Sequence, residues 1–320
     1  MSNNPFQVDQ RIAVRIEALE QSSGTAVRAY VAQALSTTQD RIAENLGCVL
    51  TAKQATEICD AHSISSDELM LLSLGKARDF AHPPISEFYV GCVGREAGSG
   101  NLVFGGNLEF VGAHIGNTVH GEGFVLTRSF SRGTAIETLA IGEAHPCAHC
   151  RQYLSEFAAT ASMTVMDPLG HRLKMADLYP WPFDPNYLGE KGIVAGEVRY
   201  PSLELKLSGD PVSPAVAGKL TELGRRSYTP YGKSPAAIVL TLKDDRLIGG
   251  SAIESVAFNP TISPIQAAMI DLFAHGYVAT DIAAAAAATA EEALVDYVLH
   301  AADTLAVVAP AVVLSVVKWA

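Results

Sequence analysis

A histidine, a glutamate and two cysteines stand in this chain at spacings that suit a catalytic metal ion. His120 is followed two residues later by Glu122, and Pro146 precedes Cys147 and Cys150. One imidazole and two thiolates hold zinc through three protein ligands and leave a fourth position open for water, unlike closed structural sites. A carboxylate beside a ligand can move protons for that water. These residues therefore predict a catalytic zinc site.

The remaining histidines and cysteines fit ordinary packing better than ligation. Alone, Cys-x-x-Cys is common and often structural. The two motifs together favour catalysis, because a structural site would need a fourth Cys or His. His145 and His149 are the spare candidates, and neither is expected to be a ligand. Cys48, Cys59 and Cys92 are predicted to be small buried apolar residues.

Two helix starts must bring the site residues together. Helical patterns run near His120–Phe130 and near Cys150–Phe157. On the first turn of a helix, residues three apart face one way, and the positive end of the helix dipole stabilises thiolates. Strands are predicted at 88–94, from 102 onward, at 136–141 and at 163–166. Strands that alternate with helices indicate an α/β layered domain.

The first 80 residues are predicted to be helical. An imperfect amphipathic pattern covers residues 12–19, and further helices are expected at 51–61 and 65–80. Ser65 and Glu68 fit a capping box at the start of the last helix. The prolines at 83 and 84 then break the helical pattern.

The second half of the chain repeats part of the first. Residues 104–110 resemble residues 248–255, so that Glu109 has a counterpart in Glu254. Strands are expected at 236–242 and 247–249 and a helix at 265–273, but residues 264–267 replace the His-x-Glu motif and no cysteine follows Cys150. We expect a helical segment at 1–65, a catalytic domain at 66–190 and a degenerate copy at 191–320, with prolines and glycines marking the boundary between 183 and 213.

Composition narrows the function. The net charge of −11 over 320 residues disfavours binding to polynucleotides and favours a small neutral substrate. Five cysteines do not look like a secreted disulfide framework. The first residues have no signal-peptide pattern, and Pro310 interrupts the apolar run from 305 to 317, which is too short to span a membrane. We expect a cytoplasmic protein without membrane contact.

The pattern H-x-E followed by P-C-x-x-C is that of the zinc deaminases of nucleobases. The chain resembles the cytidine deaminases of the long, homodimeric, two-domain type, with an active domain followed by a degenerate copy. The resemblance runs from about residue 84 to 185 and again from about 228 to 273. It implies a duplicated three-layer α/β/α domain with a helical N-terminal segment, one zinc ion per chain, and a homodimer that acts on a small nucleoside.

The resemblance also implies roles for single residues. His120, Cys147 and Cys150 would hold the zinc, a zinc-bound hydroxide would attack C4 of cytosine, and Glu122 would shuttle protons. The implied reaction is hydrolytic deamination of cytidine and 2′-deoxycytidine to uridine and 2′-deoxyuridine, as in pyrimidine salvage. The implied substrate contacts are Asn107 and Glu109 to the ribose 3′-hydroxyl, Phe88 to the pyrimidine, the Gly121 backbone to O2, and the His145 carbonyl to the leaving amine. Phe183 would lie at the pocket rim, and Tyr228 to Tyr231 near the partner's site.

Three departures from the family pattern leave alternatives open. Gly121 stands where the family has alanine, Gly123 where it has glutamine, and His145 where it has a small hydroxyl residue. Two glycines in one helical turn cost roughly 1 kcal/mol each and are expected to widen the pocket. One alternative is therefore a deaminase of a modified cytosine nucleoside or another small amine-bearing base. The other is a catalytically silent zinc-binding assembly protein, which would not need Glu122.

Overall fold

The computed structural model describes residues 6–39, 41–143, 145–206 and 212–319. Eleven helices in this part of the chain are Gln10–Leu19 (α1), Thr25–Ser36 (α2), Ala52–His62 (α3), Ser66–Leu72 (α4), Leu74–Ala77 (α5), Gly121–Arg132 (α6), Ala148–Ser155 (α7), Met175–Leu178 (α8), Pro214–Arg226 (α9), Pro264–Ala274 (α10) and Tyr297–Val308 (α11). The strands there are Val49–Leu50 (β1), Gly91–Glu96 (β2), Leu102–Gly106 (β3), Ile136–Ile141 (β4), Thr164–Met166 (β5), Arg172–Lys174 (β6), Ala236–Leu242 (β7), Leu247–Ser251 (β8), Ile282–Thr289 (β9) and Leu314–Lys318 (β10).

The first sheet lies between two helical layers. Its strand order is β1-β3-β2-β4-β5-β6, and β4 and β5 are the parallel pair among these neighbours. Side chains alternate across β2, so Gly91 faces α5 while Gly94 faces Val125 of α6. The helices α4 and α5 thus cover one face of the sheet, and α6 covers the other.

The second sheet repeats the first. Its order β10-β9-β7-β8 matches β5-β4-β2-β3 strand for strand, with the same parallel and antiparallel pairs. Even the irregularity in register recurs, between Arg95 and Glu96 in one sheet and between Thr241 and Leu242 in the other. The helices α9 and α10 pack against the second sheet as layers. The predicted duplicated three-layer α/β/α fold with an N-terminal helical segment is confirmed.

The alanine run of the second half is a strand, although alanine is the strongest helix former. Residues 283–288 lie within β9, between β7 and β10, and most of the run is buried. The sequence analysis assigned no element to this run. Pairing on both sides outweighs intrinsic propensity here, because strand preference reflects the neighbours as much as the residue itself.

The helices α6 and α10 join the two halves. Arg128 of α6 is almost wholly buried and forms an ion pair with Asp271 of α10. Gln266 of α10 donates to the carbonyls of Gly116 and Asn117, which lie in the loop before α6. The element that begins at His120 is therefore fixed from the second half of the chain.

The N-terminal segment is mainly helical, as predicted. The predicted capping box is present, with Ser65 and Glu68 bonding each other's backbone at the start of α4. The prediction of helices alone was incomplete, because Val49 and Leu50 form the edge strand β1, which pairs with β3. None of the helices in the described part of the chain has the length and apolar character needed to cross a bilayer. Of the prolines near the predicted domain boundary, Pro211 lies outside the described residues.

Candidate metal centre

Two helix starts face each other at the candidate site. His120 is the N-cap of α6 and Cys147 is the N-cap of α7, each with extended backbone. Cys150 lies in the first turn of α7, and its backbone N–H donates to the Cys147 sulfur at 3.4 Å. Since α6 and α7 pack against each other, the predicted convergence of these residues is what the fold produces.

The three donor atoms fit one small ion. The Sγ atoms of Cys147 and Cys150 lie 3.6 Å apart, and His120 Nδ1 lies 3.6 Å from the first and 3.3 Å from the second. Zinc bonds of about 2.3 Å to sulfur and about 2.05 Å to nitrogen, at tetrahedral angles, give separations of about 3.8 Å and about 3.6 Å. The donor set and the distances therefore suit tetrahedral zinc with one open position.

The two thiols shift each other's pKa in opposite directions. Hydrogen bonds with Cys150 and with His120 lower the pKa of the Cys147 thiol to about 3. The same contact with Cys147, together with burial, raises the pKa of Cys150. The hydrogen bond to Cys147 also raises the pKa of His120. Because ligands bind metal in their deprotonated forms, metal uptake would release these protons.

Glu122 is a buried carboxyl beside the three donors. It lies in the first turn of α6 and is 3% exposed. Burial raises the pKa of this carboxyl above its ordinary value. A carboxyl whose pKa is shifted toward neutral suits both accepting and returning a proton.

The first glycine beside Glu122 leaves no open space. A Cβ built on Gly121 would lie 3.0 Å from the Cβ of Cys92, a fully buried residue of β2. A Cβ on Gly123 would lie 3.3 Å from a methyl carbon of Val119. The missing methyl group of Gly121 thus allows close packing of α6 on β2 and does not widen the pocket at that point. The sequence analysis did not foresee this role for Cys92, although its predicted burial is confirmed.

Asn107 and Glu109 both bind the loop that precedes β2. The Asn107 side chain accepts from Val90 N at 2.9 Å and donates to the Phe88 carbonyl at 2.8 Å. Glu109 accepts from the backbone of Ile85 and Ser86 at 2.9 and 2.8 Å, and from the Ser86 hydroxyl at 2.6 Å. These contacts fix the loop that presents Phe88.

Phe88 is not a core residue. It is 52% exposed, so ordinary core packing does not describe it. Phe183 is also partly exposed, and its backbone is bound by the Gln152 side chain of α7 through N–H and C=O contacts of 3.1 and 2.8 Å.

The two spare histidines are engaged elsewhere. His149 lies within 3.0 Å of the Asn259 carbonyl through Nε2, and His145 Nε2 lies 2.9 Å from Asp167 Oδ2. The structure thus brings together the three predicted ligands and Glu122. The rings of His145 and His149 contact residues outside this group. Asp167 and His171, which share that contact with His145, were missed, although the Asp-x-x-x-His spacing after β5 was a visible signal.

The second half forms one wall beside the metal centre. A cavity of about 230 Å³ is lined by His120 and Cys150 on one side and by Pro260 and Ile262 on the other. His149 and Tyr153 of α7 complete the lining on the helix side. The environment of the candidate ligands is therefore built from both halves of the chain.

In the second half, other residues occupy the positions of the ligands. Ser263 caps α10 where His120 caps α6, and Asp296 caps α11 where Cys147 caps α7. Glu254 repeats the role of Glu109, since it accepts from the backbone N–H groups of Tyr231 and Gly232 at 3.0 and 2.9 Å. The anchoring of a loop by this glutamate is thus independent of a metal centre.

Comparison with known proteins gives consistent matches. Two family models of the cytidine and deoxycytidylate deaminase zinc-binding region match this chain, one at residues 63–166 and the other at residues 183–302. A cytidine deaminase of Vibrio atlanticus is 29% identical over 297 residues, covering 92% of this chain and 96% of the relative. A cytidine deaminase of Vibrio parahaemolyticus is 30% identical over 279 residues, covering 87% and 92%. The crystal structure of cytidine deaminase from Mycobacterium tuberculosis is 26% identical over 37% of this chain and 98% of its own, with a TM-score of 0.34.

Proposed function

The chain belongs to the cytidine deaminase family, and from that premise we propose that it converts cytidine and 2′-deoxycytidine to uridine and 2′-deoxyuridine. The observation that carries the proposal is the convergence of His120 Nδ1 and the sulfurs of Cys147 and Cys150 within 3.6 Å of one another, beside the buried Glu122. Members of this family are zinc-dependent hydrolytic deaminases, which agrees with the donor set.

The proposed zinc ligands are His120, Cys147 and Cys150, with one ion per chain. A zinc ion in this position supplies Lewis-acid chemistry and lowers the pKa of a water molecule to about 7. The chain itself contributes the geometry, because packing fixes the N-termini of both helices. Such preorganisation leaves little rearrangement for the reaction to drive.

Glu122 is the proposed proton carrier. It would receive one proton from the attacking water and pass it to N3 of the cytosine ring, and would then take the proton of the new C4 hydroxyl and deliver it to the departing amine. Its burial supports this role, since burial raises the pKa of the carboxyl and so strengthens it as a proton acceptor. The silent assembly protein, which was the competing hypothesis, gives no reason for a buried carboxyl at this point.

The proposed substrate contacts surround this centre. Phe88 packs on the pyrimidine, Asn107 and Glu109 hold the ribose 3′-hydroxyl, the Gly121 backbone binds O2, and the His145 carbonyl faces the leaving amine. The exposed ring of Phe88 supports the first contact. Asn107 is the better ribose candidate of the two polar residues, because the second half keeps the glutamate and replaces the asparagine by Ala252.

The further proposals concern the setting of the enzyme. We propose a cytoplasmic homodimer that takes part in pyrimidine salvage and binds no polynucleotide. The net charge of −11 supports the last point, because polynucleotide binding leaves a basic footprint. Modified cytosine nucleosides are the second proposed substrate class, motivated by Gly123 alone once Gly121 is accounted for by packing.

A substrate panel with product identification tests the proposal. Cytidine and 2′-deoxycytidine are expected to be deaminated with kcat/KM values within about tenfold of each other, and an oligodeoxycytidine is expected to stay unchanged. Asn107→Ala is expected to lower kcat/KM for nucleosides more than for free cytosine, because its contacts with the loop of Phe88 serve both substrates, with Ser99→Ala as a control in the β2–β3 turn. A clear preference for 5-methylcytidine over cytidine would instead support the modified-base alternative.

A further inference from the structure

A second group of ligand-type side chains lies next to the candidate metal centre. Asp167 Oδ2 is 2.9 Å from His145 Nε2 and 2.7 Å from His171 Nδ1. One donor atom from each residue lies within 4.8 Å of the other two. We call these three residues the His-Asp-His cluster. The proposed deamination uses none of its side chains.

The carboxylate of the cluster is held in place by the backbone. Asp167 is 5% exposed, and its Oδ1 accepts from the N–H groups of Leu169 and His171 at 3.0 Å each. Its other oxygen is thereby aimed at the two rings. Contacts of this kind to the second oxygen of a carboxylate are what orients metal ligands in proteins.

The two imidazoles approach that oxygen from different segments of the chain. His145 lies in the loop before α7, and His171 lies in the turn between β5 and β6, with the ring centroids 5.3 Å apart and the planes nearly perpendicular. The His145 side chain is more than half exposed, while the other two are mostly buried. One side of the cluster is therefore open to water.

The spacing of the donor atoms suits six-coordinate metal. Neighbouring ligands at about 2.1 Å from an ion in octahedral geometry lie about 3 Å apart, close to the two separations that Asp167 makes. Two histidines and one carboxylate with open positions are a common donor set for divalent transition metals, and imidazole selects zinc, cobalt or nickel over magnesium or calcium.

We propose that the His-Asp-His cluster binds a second divalent transition-metal ion, completed by water. His145 lies two residues before Cys147, so an ion at the cluster would tie the start of α7 to the turn after β5. The second ion would thus hold the loop that carries a ligand of the first. It differs from the first site in having no sulfur donor.

Cobalt titration distinguishes the two sites, because thiolate ligands give charge-transfer absorption and a site of nitrogen and oxygen donors does not. Untagged, metal-free protein is titrated with Co²⁺ and the equivalents bound are measured by absorption and by elemental analysis after gel filtration. The wild type is expected to bind two equivalents, with charge transfer from the first alone. His171→Gln and Asp167→Asn are each expected to bind one equivalent with the charge-transfer band intact, while His114→Gln, an exposed histidine outside the cluster, keeps two.

Saturation of the wild type at one equivalent would overturn the proposal and leave a hydrogen-bonded cluster only. Persistence of the second equivalent in both cluster variants would also overturn it, since the ion would then bind elsewhere. If one variant loses the charge-transfer band, its first site is damaged and His145→Gln replaces it in the comparison. Failure of the deaminase assay leaves this test untouched, because metal binding is read without substrate.

Discussion

The Tyr231 hydroxyl donates a 2.6 Å hydrogen bond to Glu156 Oε1 and so joins the two halves of the chain at the end of α7. The same oxygen accepts from Tyr228 at 2.9 Å, and the other oxygen accepts from the backbone of Val256 at 2.7 Å. Glu156 is fully buried, and these three donors are uncharged and belong to the second half. The second half, which lacks the metal ligands, thus provides three hydrogen-bond donors that hold the C-terminal end of α7 through Glu156.

Removal of the Tyr231 hydroxyl is expected to weaken the binding of Glu156 by the second half. Tyr231→Phe should lower the free energy of unfolding by about 1.5–3 kcal/mol, the range for a hydrogen bond to a carboxylate. Burial raises the pKa of Glu156, so the lower end of that range applies if the carboxyl is protonated. Urea unfolding at pH 7 measures the difference. Tyr30→Phe, which removes an exposed hydroxyl, is the control. Equal free energies of unfolding for the two variants would show that the hydrogen bond from Tyr231 to Glu156 does not stabilise the protein.

Loss of one sulfur should empty the metal centre. Cys150→Ser replaces a thiolate by a hydroxyl that stays protonated at neutral pH, so the zinc content measured after gel filtration should fall from one ion per chain to a small fraction of that. Cys59→Ser, at a partly buried helix position away from the site, is the matched control and should keep its zinc. Full zinc content in Cys150→Ser would show that Cys150 is not a ligand.

The close packing of Gly121 on Cys92 predicts that an alanine at position 121 will lower the catalytic efficiency. An alanine in place of glycine normally stabilises a helix by about 1 kcal/mol. At Gly121 the new Cβ would lie 3.0 Å from that of Cys92, so the first turn of α6 must shift. Because this turn carries Glu122, we expect kcat/KM of Gly121→Ala to fall by about tenfold.

Gly123→Ala is the paired variant, since its new Cβ would meet the end of the Val119 side chain at 3.3 Å. We expect its kcat/KM to change by less than about threefold, because a methyl group at the end of a side chain can rotate away, whereas the Cβ of Cys92 is fixed by its strand. Steady-state kinetics with cytidine measure both variants. An unchanged or higher kcat/KM for Gly121→Ala would show that the packing against Cys92 does not position the site.

The buried pair of Glu96 and Arg132 predicts a loss of stability in acid. Burial alone would raise the pKa of Glu96, but hydrogen bonds and charge from Arg132, with help from Ser99 and Thr134, hold it below its ordinary 4.5. A lowered folded-state pKa gives stability that is full above about pH 4.5 and is lost as the pH falls through the folded value.

Glu96→Gln tests this pair. This variant should lower the free energy of unfolding by about 3 kcal/mol at pH 7. The difference in free energy of unfolding between the wild type and the variant should become smaller below pH 4.5. Urea unfolding at both pH values provides the data, with Glu57→Gln of the exposed Lys53 pair as a control that changes stability by less than about 0.5 kcal/mol. A difference in free energy of unfolding that does not change with pH would mean that the charge of Glu96 does not stabilise the protein.

Local sequence signals explain which elements could be predicted. β4 and β7 have the expected bounds, because runs of aliphatic residues between turns indicate buried strands. β1 and the alanine-rich β9 could not be assigned, since each exists through pairing with distant strands. The same distinction separates the cap at Ser65, which a four-residue pattern specifies, from the ion pair between Arg128 and Asp271, which no pattern does.

The candidate site divides in the same way. The meeting of His120, Cys147 and Cys150 was predictable, because each motif fixes its residue at a helix start. The contacts of Glu156 with Tyr231 and of His145 with Asp167 were not, since they join residues far apart in the chain whose types alone indicate no partner. Packing of the two halves brings Tyr231 to Glu156, and the fold of the first half brings Asp167 to His145.

The most direct test of the account compares Glu122→Gln with the wild type in one preparation, measuring zinc content and the loss of cytidine absorbance together. Glutamine keeps the shape of Glu122 and cannot carry the proton. We predict one zinc ion per chain in both proteins, rapid formation of uridine by the wild type, and a rate at least about 100-fold lower in the variant. A zinc-loaded wild type that leaves cytidine unchanged, or a variant that retains the full rate, would contradict the account.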